Sequence, residues 1–190
     1  MREIDKQEEI IVKELIKNPR ISDNQISKNT GVPVKTVNRK RKKLEKEGLL
    51  YYFTYLNNGP HGTGVFTARQ LYIVTFKLGI TRKQILDMIK KEEPTKIELK
   101  HIAESYLGDV DGHSIIAMII ESRLESDIIE IFNAELIPKF KRFFGEDAVV
   151  KTEAITLNIP LRTMHNYMFL VNMSHGKIKE EWPDELIFVD

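Results

Sequence analysis

Between positions 35 and 46 the chain carries seven basic residues against one acid, Glu45. Thr36 and Asn38 are interspersed among them. Lys and Arg neutralise phosphates and release counterions. Arg, Lys and Asn can also donate to base edges in the major groove. On a helix, this mixture is the chemistry of duplex DNA recognition. Val34, Val37 and Leu44 have the spacing of a buried stripe, which leaves Lys35, Thr36, Asn38, Arg39 and Lys42 outside it. The N-terminal half of such a helix reaches the bases. Lys35, Thr36, Asn38 and Arg39 are therefore assigned to the groove and Lys42 to its margin. Lys40, Lys43 and Lys46 are assigned to phosphates. Ser22, at the start of the preceding helix, is a further phosphate contact.

A charge run alone is more often a solvated face. The elements that would position this one argue for more. Ser22 with Gln25 has the capping-box pattern, and the short helix that follows buries Ile26 and ends near Asn29. Gly31 supplies a sharp turn at positive φ, and Ser27 is small enough for two helices to cross there. Pro33 suits the first turn of the next helix, which runs to about Glu47 and stops at Gly48. Residues 5–18 form the first helix of the head, with a capping pattern at Asp5 and Glu8 and an apolar stripe of Ile10, Ile11 and Leu15. Asn18-Pro19 ends it. LLYYFTYL at 49–56 reads as a strand, NNGPHGTG at 57–64 as a turn holding His61, and 65–67 as a returning strand. Together these make a winged helix-turn-helix.

Composition fits that division. The net charge is +1, but residues 1–50 carry 13 Lys and Arg against 8 Asp and Glu, while the remainder carries 16 against 20. A basic head joined to an acidic body suits a DNA-binding part attached to another function. Cysteine is absent, which excludes disulfides and thiolate metal sites and makes the cytoplasm the default compartment. The opening residues, MREIDKQEE, are charged and unlike a signal peptide. No stretch approaches a membrane span. No cofactor is expected.

The body has its own rhythm. Strands are expected at 70–78, 97–107, 115–120 and 148–158, with helices at 81–91, capped by Thr81 and Gln84, and after Ser122 and Glu125. Gly79 breaks the first strand, GDVDGHS at 108–114 is a turn, and Pro138 kinks or ends the last helix. The order βαββαβ is the ferredoxin-like arrangement. The fold class is thus α+β: a winged helix-turn-helix head at 1–56, a hinge or wing linker at 57–69, a ferredoxin-like domain at 70–159 and a C-terminal extension at 160–190. Two helices cover one face of a four-stranded sheet, and a second copy would cover the other as an isologous homodimer. The extension has short apolar runs at 167–171 and 186–189 around His175-Gly176-Lys177, and is expected to pack on the body or on a partner subunit.

The chain resembles the Lrp/AsnC regulators, also called feast/famine proteins. The residues that carry the likeness are Ile4-Asp5, Asn18-Pro19-Arg20-Ile21-Ser22, Gly31-Val32, Thr36-Val37-Asn38-Arg39, Leu44-Glu45-Lys46-Glu47-Gly48 and the Gly108-x-x-Asp111 pattern between the second and third strands. The match spans about residues 3–158. The resemblance implies a cytoplasmic transcription regulator, not an enzyme, that binds double-stranded DNA as a dimer and assembles further into octamers or other rings. It also implies a small effector, commonly an amino acid, near Gly108, Asp109, Asp111 and Gly112. The plain alternative is that GDVDG is a hairpin turn. Arg41 stands where the family has an apolar residue: either its stem packs and its head reaches a phosphate, or the helix phase is shifted by one. Gly112-His113 and the extension also depart from the pattern.

Two rival classes remain open. Certain haem-biosynthetic decarboxylases look like relatives and use histidines on the same body. Here His101 and His113 would have to face each other across the second hairpin to act on a substrate or metal. A pure protein-interaction module is the other rival, and it would lack DNA affinity.

Overall fold

The computed structural model describes residues 2–60 and 62–189. They form two compact units, one of residues 1–55 with 160–190 and one of residues 56–159. His61 of the expected wing lies outside the described residues.

The first unit is built on three helices: α1 (Lys6–Lys17), α2 (Asp23–Thr30) and α3 (Val34–Lys46). Each boundary has a local cause. Asp5 caps α1 by accepting from the Gln7 and Glu8 N–H groups at 2.9 and 3.0 Å, and Glu8 Oε2 accepts from Asp5 N, which completes the box. Ser22 caps α2 by accepting from Gln25 N at 3.2 Å, but its box stays half-made. The Gln25 side chain donates to Asn29 Oδ1 one turn along instead. Gly31 ends α2 at φ 72°. Pro33 sits one residue earlier than expected, as the N-cap of α3. Gly48, at φ 67°, ends α3 with Leu49 N donating to Leu44 O and Gly48 N to Glu45 O, a Schellman stop.

The core of the three helices is Ile11, Leu15, Ile26, Val32 and Val37, joined by Ile21 and Leu50. Burying each large aliphatic side chain contributes about 1.5–3 kcal/mol. Two expected stripe residues lie outside this core, since Ile10 and Val34 are exposed. On α1 the inward positions include Glu8 and Glu14. Glu8 is neutralised by Arg2 at 2.7 Å and Glu14 by Lys17 at 3.1 Å, and Glu14 also accepts a hydrogen bond from Asn29 Nδ2. On α3 the inward position between Val37 and Leu44 is Lys40.

Within the chain the extension packs on α1, in the same compact unit as the three helices, rather than on the body. Among its described residues the extension forms a two-residue hairpin, β5 (Met173–Ser174) with β6 (Lys177–Ile178), turned by His175 and Gly176 at positive φ, and an isolated bridge between Thr163 and Tyr167. The short strands expected at 167–171 and 186–189 are absent there. Tyr167 donates to the Ile16 carbonyl in the last turn of α1, where no intrahelical donor exists. Lys17 pairs with Asp184 at 2.6 Å. Ile178 and Ile187 are buried, and buried Asn172 ties the segment internally to Met168 and Asn166.

Residues 49–56 form no strand, contrary to expectation. No described segment pairs with them, nor does a returning strand form at 65–67. Beyond Leu50, whose N–H donates to the Leu44 carbonyl, a segment without a ladder partner leaves its N–H and C=O groups to solvent. Tyr51, Phe53, Tyr55 and Leu56 are correspondingly exposed.

The second unit holds a four-stranded antiparallel sheet of β1 (Ala68–Phe76), β2 (Ile102–Val110), β3 (His113–Ser122) and β4 (Val149–Thr156), in the order β2-β3-β1-β4. This is the ferredoxin-like arrangement. α4 (Arg82–Lys91) follows β1 with the expected Thr81–Gln84 box. Residues 97–101, expected in a strand, are instead in α5 (Lys96–His101), capped by Thr95 with Glu98. The last helical run begins at α6 (Glu125–Ile131) with Leu124 at its cap. Ser122 lies in β3 and donates to Asp127, so it does not cap the helix. The run passes through a π segment (Phe132–Leu136) into α7 (Ile137–Phe144). Pro138 has no N–H and its ring crowds the preceding turn. The wider π turn, with Ile137 N donating to Phe132 O, carries the helix past it without a break.

Tyr72, Val74 and Phe76 of β1 and Ile116, Met118 and Ile120 of β3 pack beneath Ile85, Met88, Ile128, Phe132, Leu136 and Phe140. β3 is packed on one face only within this chain. Its burial alternates, and Ile115, Ala117 and Ile119 face the open side with Leu71 and Ile73. Tyr106 and Ile155 extend that face and are exposed.

Candidate nucleic-acid interface

α3 separates into faces. Val37, Lys40 and Leu44 point inward. Lys35, Asn38, Arg39, Lys42, Lys43 and Lys46 are exposed, and Thr36 is half-exposed. Lys35, Arg39, Lys42 and Lys46 recur every three or four residues and so form one stripe. Among the described residues none of these four has a carboxylate within 4.0 Å. Lys43 has only a loose neighbour, Glu47, at 3.9 Å. A stripe of unpaired cations with low self-neutralisation is what a phosphate-lined groove would complement.

Lys40 leaves the expected set. Its side chain is 9% exposed and its ammonium pairs with Asp5, so it cannot reach a phosphate from this position. That hydrogen bond holds the Asp5 carboxyl below its ordinary pKa.

Arg41 resolves differently from either expectation. Its stem is half-buried, but its head is satisfied within the protein. It donates to Asp23 Oδ1 at 3.0 Å, to Glu45 Oε1 at 3.1 Å and to the Tyr52 hydroxyl at 2.8 Å. Its guanidinium lies 5.3 Å from the Tyr52 ring centre. Burial, and the hydrogen bond Tyr52 gives Glu45, push the Tyr52 hydroxyl above its usual pKa.

At the crossing of α2 and α3 a shallow depression of about 600 Å³ is lined by Ser22, Asp23, Asn24, Val34, Lys35, Asn38 and Arg41. It brings together three of the expected residues, Ser22, Lys35 and Asn38. Asp23, Asn24, Val34 and Arg41 were not foreseen there. Asp23 accepts from Asn38 Nδ2 at 2.7 Å. Nothing local marks that pairing, because the two residues are 15 positions apart and meet only through the helix crossing.

The body offers less. Gly108 and Asp109 lie in β2, and Asp111 and Gly112 form a two-residue turn at φ 48° and 81°. The turn is therefore shorter than 108–114. Asp109 is paired with Arg82, so the four residues do not present two free carboxylates. His101 and His113 sit at opposite ends of the β2–β3 hairpin. His101 Nδ1 is bonded to the Glu121 carbonyl and His113 Nδ1 to that of Phe76, each at 2.7 Å. They do not face each other. Among the described residues no cluster of three or more metal-ligating side chains occurs. Among the described residues no helix is long and apolar enough to cross a membrane.

Residues 4–51 match the family model described as winged helix-turn-helix DNA-binding. No curated protein matches the chain. Among solved structures, E. coli AsnC is 19% identical, with 86% of this chain and 99% of that one covered at a TM-score of 0.60. B. subtilis LrpC is 13% identical, with 85% and 99% covered at 0.60. A transcriptional regulator from Neisseria meningitidis, solved as a complex with L-Met, is 12% identical, with 85% and 94% covered at 0.60. Residues 4–51 are thus similar to a winged helix-turn-helix DNA-binding segment, at the head of a chain whose fold is that of AsnC and LrpC, the fold that the sequence resemblance implied.

Proposed function

We propose that this chain is a DNA-binding transcriptional regulator that acts on pseudo-palindromic operators as a homodimer or higher assembly in the cytoplasm. The observation that carries the reading is the exposed, unpaired cationic stripe of α3 opposite its buried face. In this reading Lys35, Thr36, Asn38 and Arg39 enter the major groove and Lys42 lies at its margin. Lys43, Lys46 and Ser22 hold phosphates. The dimer is supported by the uncovered apolar side of the sheet, where Leu71, Ile73, Ile115, Ala117 and Ile119 lack a helix. A second copy would bury it with twofold symmetry.

Enrichment of duplexes from a randomised pool by the purified chain tests this reading. Enriched sites should contain two related half-sites about one helical turn apart, or a multiple of it. Affinity should fall steeply with salt. A chain that binds no duplex at low salt would refute it.

A small effector is a secondary part of the reading. It is favoured by the Neisseria regulator solved with L-Met and by the exposed Asp111 carboxylate beside Gly112 on the turn. Gly108 and Asp109 complete the candidate region. An α-amino group would meet Asp111, and a carboxylate would meet glycine N–H groups. A thermal-shift panel of amino acids, repeated on Asp111→Ala, checks it. Equal shifts in both proteins would exclude this turn.

A further inference from the structure

Asp23, the first residue of α2, receives two donors from α3. Asn38 Nδ2 donates to Oδ2 at 2.7 Å and an Arg41 Nη donates to Oδ1 at 3.0 Å. Arg41 is itself held by Tyr52 and Glu45, and Tyr52 donates to Glu45 at 2.9 Å. The carboxylate is thus gripped from the α3 side, with its own side chain 21% exposed. An acid at the start of a helix needs no special reason, since it favours the helix dipole. That does not account for two donors converging on it from another helix.

The consequence lies in Asn38. An amide end has a donor side and an acceptor side that other contacts often leave interchangeable. A carboxylate only accepts, so the NH2 of Asn38 must face Asp23. One of its two N–H groups is used there. The other N–H and the Oδ1 remain on an exposed residue of the α3 outer face. A neighbouring donor and acceptor are what adenine takes at N7 and N6 in the major groove.

We propose that Asp23 is a positioning residue that sets the amide orientation of Asn38 for reading adenine, with Arg41 as its counter-charge. This rests on the DNA-binding reading above. Asp23→Asn keeps the shape but lets position 23 donate as well as accept, so Asn38 can turn either way. It also removes a negative charge from the DNA-facing side.

The test is enrichment from a randomised duplex pool by the full chain and by Asn38→Ala, Asp23→Asn, Asp23→Ala and Arg41→Gln, with thermal melting of each. The wild type should enrich an adenine in each half-site, and Asn38→Ala should lose it. Asp23→Asn should lose about tenfold discrimination at that base alone. Its affinity for a fixed, non-enriched duplex at low salt should hold or rise. Asp23→Ala should act likewise and serves if the Asn variant melts early. Arg41→Gln should keep the adenine and weaken all duplexes alike. If Asn38→Ala relaxes a position and neither Asp23 variant does, the inference falls while the DNA-binding reading stands. It also falls if the relaxed base is not adenine, or if the Asp23 variants weaken every duplex equally, as a merely structural role would. If the wild type enriches nothing, the function itself is refuted.

Discussion

The side chain of Lys40 is largely buried on α3, and its ammonium is paired with the half-exposed carboxylate of Asp5, the residue that caps α1. One acid therefore starts the first helix and neutralises the inward lysine of the third. Asp5→Ala should lose the cap and leave Lys40 buried without a counter-charge, at a cost of about 2 kcal/mol in denaturant unfolding. Lys40→Met, of similar length and able to pack, should leave DNA affinity within about twofold. A large affinity loss there would put Lys40 back among the DNA contacts.

Arg39 and Lys43 should behave differently from Lys40 and from each other. Arg39→Ala should relax base discrimination at one position by roughly 1–3 kcal/mol, read from enriched sites. Lys43→Ala should weaken all duplexes alike and lower the salt slope by about one. Two identical, sequence-independent losses would contradict the division into base and phosphate contacts.

Acid should destabilise the three-helix unit. The Asp5 carboxyl is held below its ordinary pKa first by Lys40, and that of Glu8 first by Arg2. Because the folded values are depressed, both contributions are complete above the ordinary carboxylate range. They fade as pH falls through that range and then through the lower folded values. Melting of the head should therefore be flat from pH 7 to about 5.5 and drop steeply below about 4. An Asp5→Asn, Glu8→Gln double variant that keeps the same acid limb would assign the effect elsewhere.

The extension should stabilise the head. Ile178 is 3% exposed on the segment that packs against α1. Ile178→Ala should cost about 2–4 kcal/mol in the calorimetric transition of the head. An unchanged transition would mean that the segment only rests there.

The open sheet face should set assembly. Ile119, half-buried at its centre, becomes a charge in Ile119→Lys. Sedimentation should then shift toward monomer, and affinity for a two-half-site duplex should fall toward that for one half-site. A dimer that survives this change would have its interface elsewhere.

Features that depend on neighbours within a turn were legible along the chain. The caps at Asp5–Glu8 and Thr81–Gln84 and the stops at Gly31 and Gly48 are decided by groups three to five residues apart. Ile97-Glu98-Leu99-Lys100 alternates in polarity, so the start of α5 imitates a strand. Pro94 followed by Thr95 and Glu98 was the local signal for a helix start. Lys40 turns inward because Asp5, 35 positions away, supplies its counter-charge, and a lysine among lysines carries no local mark of that.

Periodicity, caps and turn glycines settled the order of the elements, the α+β class and the cationic character of one helix, because those depend on short-range sterics and hydrogen bonds. Only the tertiary structure decided which cations of α3 face solvent, that Asp23 meets Asn38 and Arg41, and that the extension packs on α1. Those outcomes depend on side chains 15 to 151 positions apart. Their meeting is fixed by how helices cross and cores close, which no local pattern encodes.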